Sequence, residues 1–215
     1  MNGRRIAFIA VTIVAAAGTS PAAAQQAYQG ATQGATYSGD QHYGSGHEMP
    51  TDDVVRPVSR DAASRATELR LSGQCDKAVT ILRHVVDNGG SEISQFNLGM
   101  CLLELAGAEH DAQRAAPMKT EAAGWIVRAA NAGFPQAQSE AVTLYLDGVG
   151  VAPDPVEAKK WALLYKRNVD RSLFGLPNLK DDLKDRVDAA VPNEKRAEAR
   201  VRADNWTKVS TIKDQ

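Results

Sequence analysis

From residue 59 onward the apolar positions recur at helical spacing. Ala62, Ala66, Leu69 and Leu71 mark a first helix, stopped by Ser72-Gly73. Ala78, Ile81, Leu82, Val85 and Val86 fall at i, i+3, i+4, i+7 and i+8, the stripe of a second helix that ends at Gly89-Gly90. Ser91 is placed to N-cap a third helix carrying Ile93, Phe96, Leu98, Leu102 and Leu103. A polar loop is expected over 107–116, then a fourth helix over 118–132 with Ala122, Trp125, Ile126 and Ala129 inward and Gly133 closing it. Pro135 suits the first turn of a fifth helix, with Ala137, Ala141, Leu144 and Tyr145. Gly148 to Val151 form the next turn. Pro155 opens a sixth helix with Ala158, Trp161, Leu164 and Tyr165 inward. Two further helices are expected near 179–189 and 194–209, the last anchored by Trp206. No stretch alternates with the period of a strand, so the expected fold is all-α.

Two of these helices share a pattern. Glu121, Ala122 and Trp125 in 120–133 recur as Glu157, Ala158 and Trp161 in 157–168. Self-similarity at about this period marks stacked helical hairpins. Glycines let helices approach and turn sharply, and small alanines let one helix nest on another. The tryptophans and Tyr145 then fill the gaps between hairpins as core.

The first 58 residues read differently. Arg4 and Arg5 precede an apolar run over 6–17 that is short for a bilayer span, and Ala22-Ala23-Ala24 offers an A-x-A cleavage site. Residues 1–24 are therefore expected to be a secretory signal peptide, since a membrane anchor would carry a stop-transfer pattern. The arginine pair alone is weak evidence for twin-arginine export. Residues 25–58 are poor in apolar side chains, rich in Gly, Gln, Ser, Thr and Tyr, and hold the near-repeat Gln29-Gly30-Ala31-Thr32 and Gln33-Gly34-Ala35-Thr36. Such a stretch buries too little apolar area to offset its ordering entropy, and is expected to be a disordered tether. His42 and His47 on it make a poor metal site.

Loss of Arg4 and Arg5 leaves 23 Lys and Arg against 26 Asp and Glu, a net charge of about −3. That balance speaks against nucleic acid, which needs a basic stripe, and against a polybasic membrane-surface role. Cys75 and Cys101 are the two cysteines. In an exported chain they meet an oxidising compartment. Cys75 begins one expected helix and Cys101 lies late in the next, antiparallel one, at a similar height along the hairpin. A bridge there is plausible and adds roughly 3 kcal/mol. The alternative is two buried free thiols. There is no C-x-x-C spacing to make the pair a redox centre.

Chemistry-bearing motifs are scarce. No G-x-S-x-G, H-E-x-x-H or phosphate-binding loop occurs, and Gly148-x-Gly150 joins two helices, outside the strand-to-helix context of a dinucleotide site. His84 beside Arg83 reads as solvated. His110, between Glu109 and Asp111, has no second histidine, cysteine or nucleophile near it in sequence. The alternating charges from Lys180 to Arg202 read as a solvated helical face. No enzyme and no cofactor is expected.

The run from Ala137 to Asp154, A-Q-S-E-A-V-T-L-Y-L-D-G-V-G-V-A-P-D, resembles the Sel1-like repeat of the tetratricopeptide superfamily, whose pattern is A-x-x-x-L-G-x-x-Y-x-x-G-x-G-V-x-x-D followed by A-x-x-W. Ala137, Tyr145, Gly148, Gly150, Val151, Asp154, Ala158 and Trp161 match it, as do Leu98-Gly99, Trp125, Ala129, Ala130 and Gly133 upstream. Ala66, Gly73, Ala78 and Leu82 look more like a plain tetratricopeptide unit. Ala141-Val142 replace the pattern's Leu-Gly, and the upstream unit lacks G-x-G-V. The resemblance implies a short right-handed α/α solenoid over 59–168, with 169–215 as capping helices. It implies a groove lined by the first helix of each hairpin, here Ile93, Phe96, Met100 and Glu104, then Gln136, Ser139, Thr143 and Asp147. Ile93, Phe96 and Met100 are equally readable as ordinary core. The implied role is a non-catalytic protein-interaction module, periplasmic or secreted, that binds another protein of the cell envelope. The competing role is a peptidoglycan- or glycan-binding factor of the cell wall.

Overall fold

The structure is a computed structural model that describes residues 60–210. The expected signal peptide, the tether with His42 and His47, and the end of the chain from 211 lie outside the described residues. Among the described residues every regular element is helical: α1 (Arg60–Leu71), α2 (Cys75–Asp87), α3 (Glu92–Ala108), α4 (Ala112–Asn131), α5 (Pro135–Asp147), α6 (Pro155–Arg167), the short α7 (Val169–Leu173), α8 (Asp181–Ala190), a 3-10 turn (Asn193–Lys195) and α9 (Arg196–Asp204). The all-α expectation holds. Each helix from α1 to α5 packs on the next one in sequence, α8 packs on α5 and α6, and α9 packs on α6.

Local chemistry sets the helix ends. Pro135 and Pro155 stand at the starts of α5 and α6, where a missing N–H costs nothing. Asp154 caps α6 by accepting from the Glu157 N–H at 3.0 Å. Asp111 does the same for α4 through the Gln113 N–H at 2.8 Å. That cap corrects the expected loop over 107–116: the break shrinks to 109–111, and α4 starts at Ala112 and runs through Pro117. Pro117 lies close enough to the helix start that it removes one backbone bond without ending the helix. Ser91 holds the N-cap position of α3, but its side chain makes no capping hydrogen bond. The last helix ends at Asp204, short of the expected 209, and α7 was not anticipated.

The buried apolar side chains form two clusters. One joins α1, α2 and α3 through Ala66, Ala78, Leu82, Leu98 and Leu102, with Ala122 of α4. The other joins α3 to α9 through Phe96, Ile126, Phe134, Leu144, Trp161 and Val187. Helix α3 feeds both. Gly99 makes its approach to α4 possible, because a Cβ there would stand 2.5 Å from Ile126 Cγ1 and 2.9 Å from the Ala122 carbonyl oxygen. Cys75, the first residue of α2, is bridged to Cys101 of α3, with the Cα atoms 5.0 Å apart. This disulfide suits an oxidising, extracytoplasmic compartment. No helix among the described residues is long and apolar enough to cross a membrane.

Polar contacts fasten the C-terminal part. Arg202 of α9 donates to Asp154 at 2.8 Å, to Glu157 at 3.1 Å and to Glu198 at 2.7 Å. Trp206 is half-buried and donates its indole N–H to Asn131 at 3.2 Å, and the Val209 N–H reaches the Asn131 carbonyl at 2.8 Å. The chain end thus returns to α4.

Candidate functional site

On α3 the groove candidates at 93, 96, 100 and 104 recur at helical spacing and cover about one face. The structure separates them. Ile93 is an exposed large apolar side chain, 37% accessible, and Glu104 is exposed, its carboxylate 3.4 Å from the Cys75 sulfur. Met100 is half-buried and packs against the larger cluster. Phe96 is buried, its ring edge-on to Phe134 with centroids 5.3 Å apart. Phe96 belongs to the larger core cluster, the second of the two readings its spacing allows. The helix turns it some 60° away from Ile93, toward α5. Phe134 is the N-cap residue of α5, so the same contact sets the start of α5 beside the middle of the α3 stripe.

On α5, Gln136, Ser139 and Thr143 are half-buried and Asp147 is exposed. Asp147 is taken by an ion pair with Arg186 of α8. The Gln136 Oε1 atom is shut off from solvent and accepts no hydrogen bond. Glu140, absent from the sequence expectation, lies one turn after Gln136 on the same stripe. It is half-buried, and burial alone pushes its carboxyl above the ordinary range. Neither it nor Ser139 or Thr143 has a side-chain partner among the described residues. Opposite this stripe, Ala137, Ala141, Val142 and Leu144 are buried in the core. One face of α5 thus anchors the helix while the other holds polar groups left without partners.

Gln95 Oε1 and Asn97 Oδ1 of α3, Trp161 Nε1 and Arg171 Nε are likewise shut off from solvent without a hydrogen bond, while other polar groups pair within the fold. Glu121 is tied to Arg83 and also accepts from the Trp125 indole at 3.3 Å, while its repeat counterpart Glu157 pairs with Lys160 and Arg202. Trp161 is fully buried and Trp125 half-buried. His84 and His110 are exposed. Among the described residues no group of His, Cys, Asp and Glu is arranged to hold a metal ion. A cavity of about 370 Å³ opens between α6 and the start of α8, floored by Ala162, Leu163 and Leu179 and edged by Lys159, Lys166 and Lys184. None of the groove candidates lines it. The chain matches no protein-family model, no curated protein and no solved structure.

Proposed function

We propose that this chain is an exported, non-catalytic protein-interaction module, periplasmic or secreted, that receives a segment of another envelope protein on the adjoining faces of α3 and α5. The supporting fold reading is a short right-handed solenoid of Sel1-like hairpins, α1–α2, α3–α4 and α5–α6, capped by α8 and α9. The observation that carries the proposal is the α5 stripe, where Gln136 Oε1 is buried without a donor and Glu140 is half-buried without a partner. Buried polar atoms in folded proteins ordinarily find partners, and α3 carries the exposed Ile93 and the half-buried Met100. An apolar anchor beside unmet acceptors suits a peptide segment. The disulfide agrees with an extracytoplasmic site of action.

Binding of a cell-wall glycan is the second reading. It calls for exposed aromatic platforms, and Phe96, the groove aromatic, is packed on Phe134. The protein-binding reading is therefore preferred. Affinity capture from an envelope extract, with wild-type protein and an Ile93→Arg/Thr143→Arg variant that keeps its helical signal, tests it. One protein retained by the wild type and lost by the variant is expected. Equal recovery on both, or retention on insoluble cell wall instead, overturns it.

A further inference from the structure

Helices α3 and α5 carry Glu92, Glu104, Glu140 and Asp147 and not one lysine, arginine or histidine. Basic residues are placed instead on α1, α2, α4 and α6 to α9. Asp147 is neutralised by Arg186. Glu140 has no such partner and is half-buried, so its carboxyl is partly desolvated. On this face Gln136 Oε1 is buried without a donor, Glu140 has no side-chain partner, and the Ser139 and Thr143 hydroxyls, which can donate or accept, have none either. A group that satisfies both Gln136 Oε1 and Glu140 must donate. Ile93 is the one exposed large apolar side chain of α3, and Met100 of α3 packs against the same cluster that holds Ala137 and Ala141 of α5.

We propose that the segment received by α3 and α5 is basic: it carries a lysine or arginine whose cation pairs with Glu140, next to a large apolar side chain seated on Ile93 and Met100. This rests on the protein-binding reading above and specifies the partner's chemistry. A charge-assisted hydrogen bond to a half-buried carboxylate is stronger than a neutral one. A single charged contact of this kind sets which partners are accepted more than how tightly any of them binds.

The test is a random twelve-residue peptide library displayed on phage and panned against the immobilised protein, with selected peptides remade and titrated. Peptides with a lysine or arginine within a few residues of Leu, Phe, Met or Ile are expected to dominate. Their affinity should fall at least tenfold for Glu140→Gln, a near-isosteric change checked for native helicity. Glu140→Lys should prefer the same peptides with the cation changed to glutamate. Selected peptides that lose binding to Ile93→Arg yet lack a cation and ignore Glu140→Gln overturn this inference and leave the protein-binding reading standing. Failure to enrich any peptide, or peptides indifferent to Ile93→Arg and Thr143→Arg, overturns both.

Discussion

Gly150 lies so close to Lys119 that a Cβ on it would stand 2.0 Å from the Lys119 carbonyl oxygen. Its φ of +71° is one that side-chain-bearing residues seldom adopt. The turn between α5 and α6 is thereby seated on the backbone of α4. Gly150→Ala meets both obstacles and should cost about 3 kcal/mol or more. Gly73 has a similar φ but open space around it, so Gly73→Ala should cost only about 1 kcal/mol of backbone strain. Urea unfolding of the two variants checks this, and equal losses would count against the close contact.

Phe96 and Ile93 are three residues apart on α3 and should behave as opposites. Phe96→Ala should destabilise by about 3 kcal/mol, the cost of emptying a buried aromatic site, and Phe96→Arg should lose its cooperative unfolding transition. Ile93→Arg should stay within about 0.5 kcal/mol of the wild type, as surface changes do. Circular dichroism with chemical denaturation reads all three.

The Cys75–Cys101 bridge closes a loop with a sequence separation of 26. In the chain-entropy account, a loop of this size is worth roughly 3 kcal/mol. Reduction should lower the urea midpoint accordingly and make two thiols available to alkylation. Protein alkylated under denaturing, non-reducing conditions should show no mass gain, and a gain of two adducts would contradict the bridge.

Asp154 and Arg202 should make stability sensitive to acid. Burial draws the Asp154 carboxyl upward, but the bonds from Arg202 and from the Glu157 N–H outweigh it and hold the group below its ordinary value. A carboxyl lowered in the folded state contributes stability that is present above its unfolded pKa, about 3.9, and is lost as pH falls through the folded one. Arg202→Gln should therefore lower Tm at pH 7, and its deficit against the wild type should shrink below about pH 4. The side chains are more than a third exposed in part, so the loss at pH 7 should be modest, about 1 kcal/mol. A deficit that is constant from pH 7 to pH 3 would contradict the pairing.

The helices were legible wherever one face is apolar at regular spacing, and α2 is the clearest case: Ala78, Leu82 and Val85, expected inward, are buried. Its disulfide was readable as a height match along an antiparallel hairpin, though free thiols fitted the same spacing. The start of α4 was not legible, because a polar run holding Pro117 reads as a loop until Asp111 is seen to cap it. Phe96 was ambiguous because periodicity marks a stripe without saying which neighbour covers it. Phe134, 38 positions away in the chain, decides that. Glu140 was missed for a related reason. A glutamate on a polar stripe looks solvated, and only tertiary packing half-buries it.

The central claim is that α3 and α5 together form a face that receives another protein. A photo-crosslinking amino acid placed singly at Ile93, Ser139 and the exposed control position Thr80 of α2, followed by irradiation of living cells, tests it most directly. The account predicts the same protein adduct from positions 93 and 139 and none from position 80. Adducts of equal yield at all three positions, or none at 93 and 139, would contradict it.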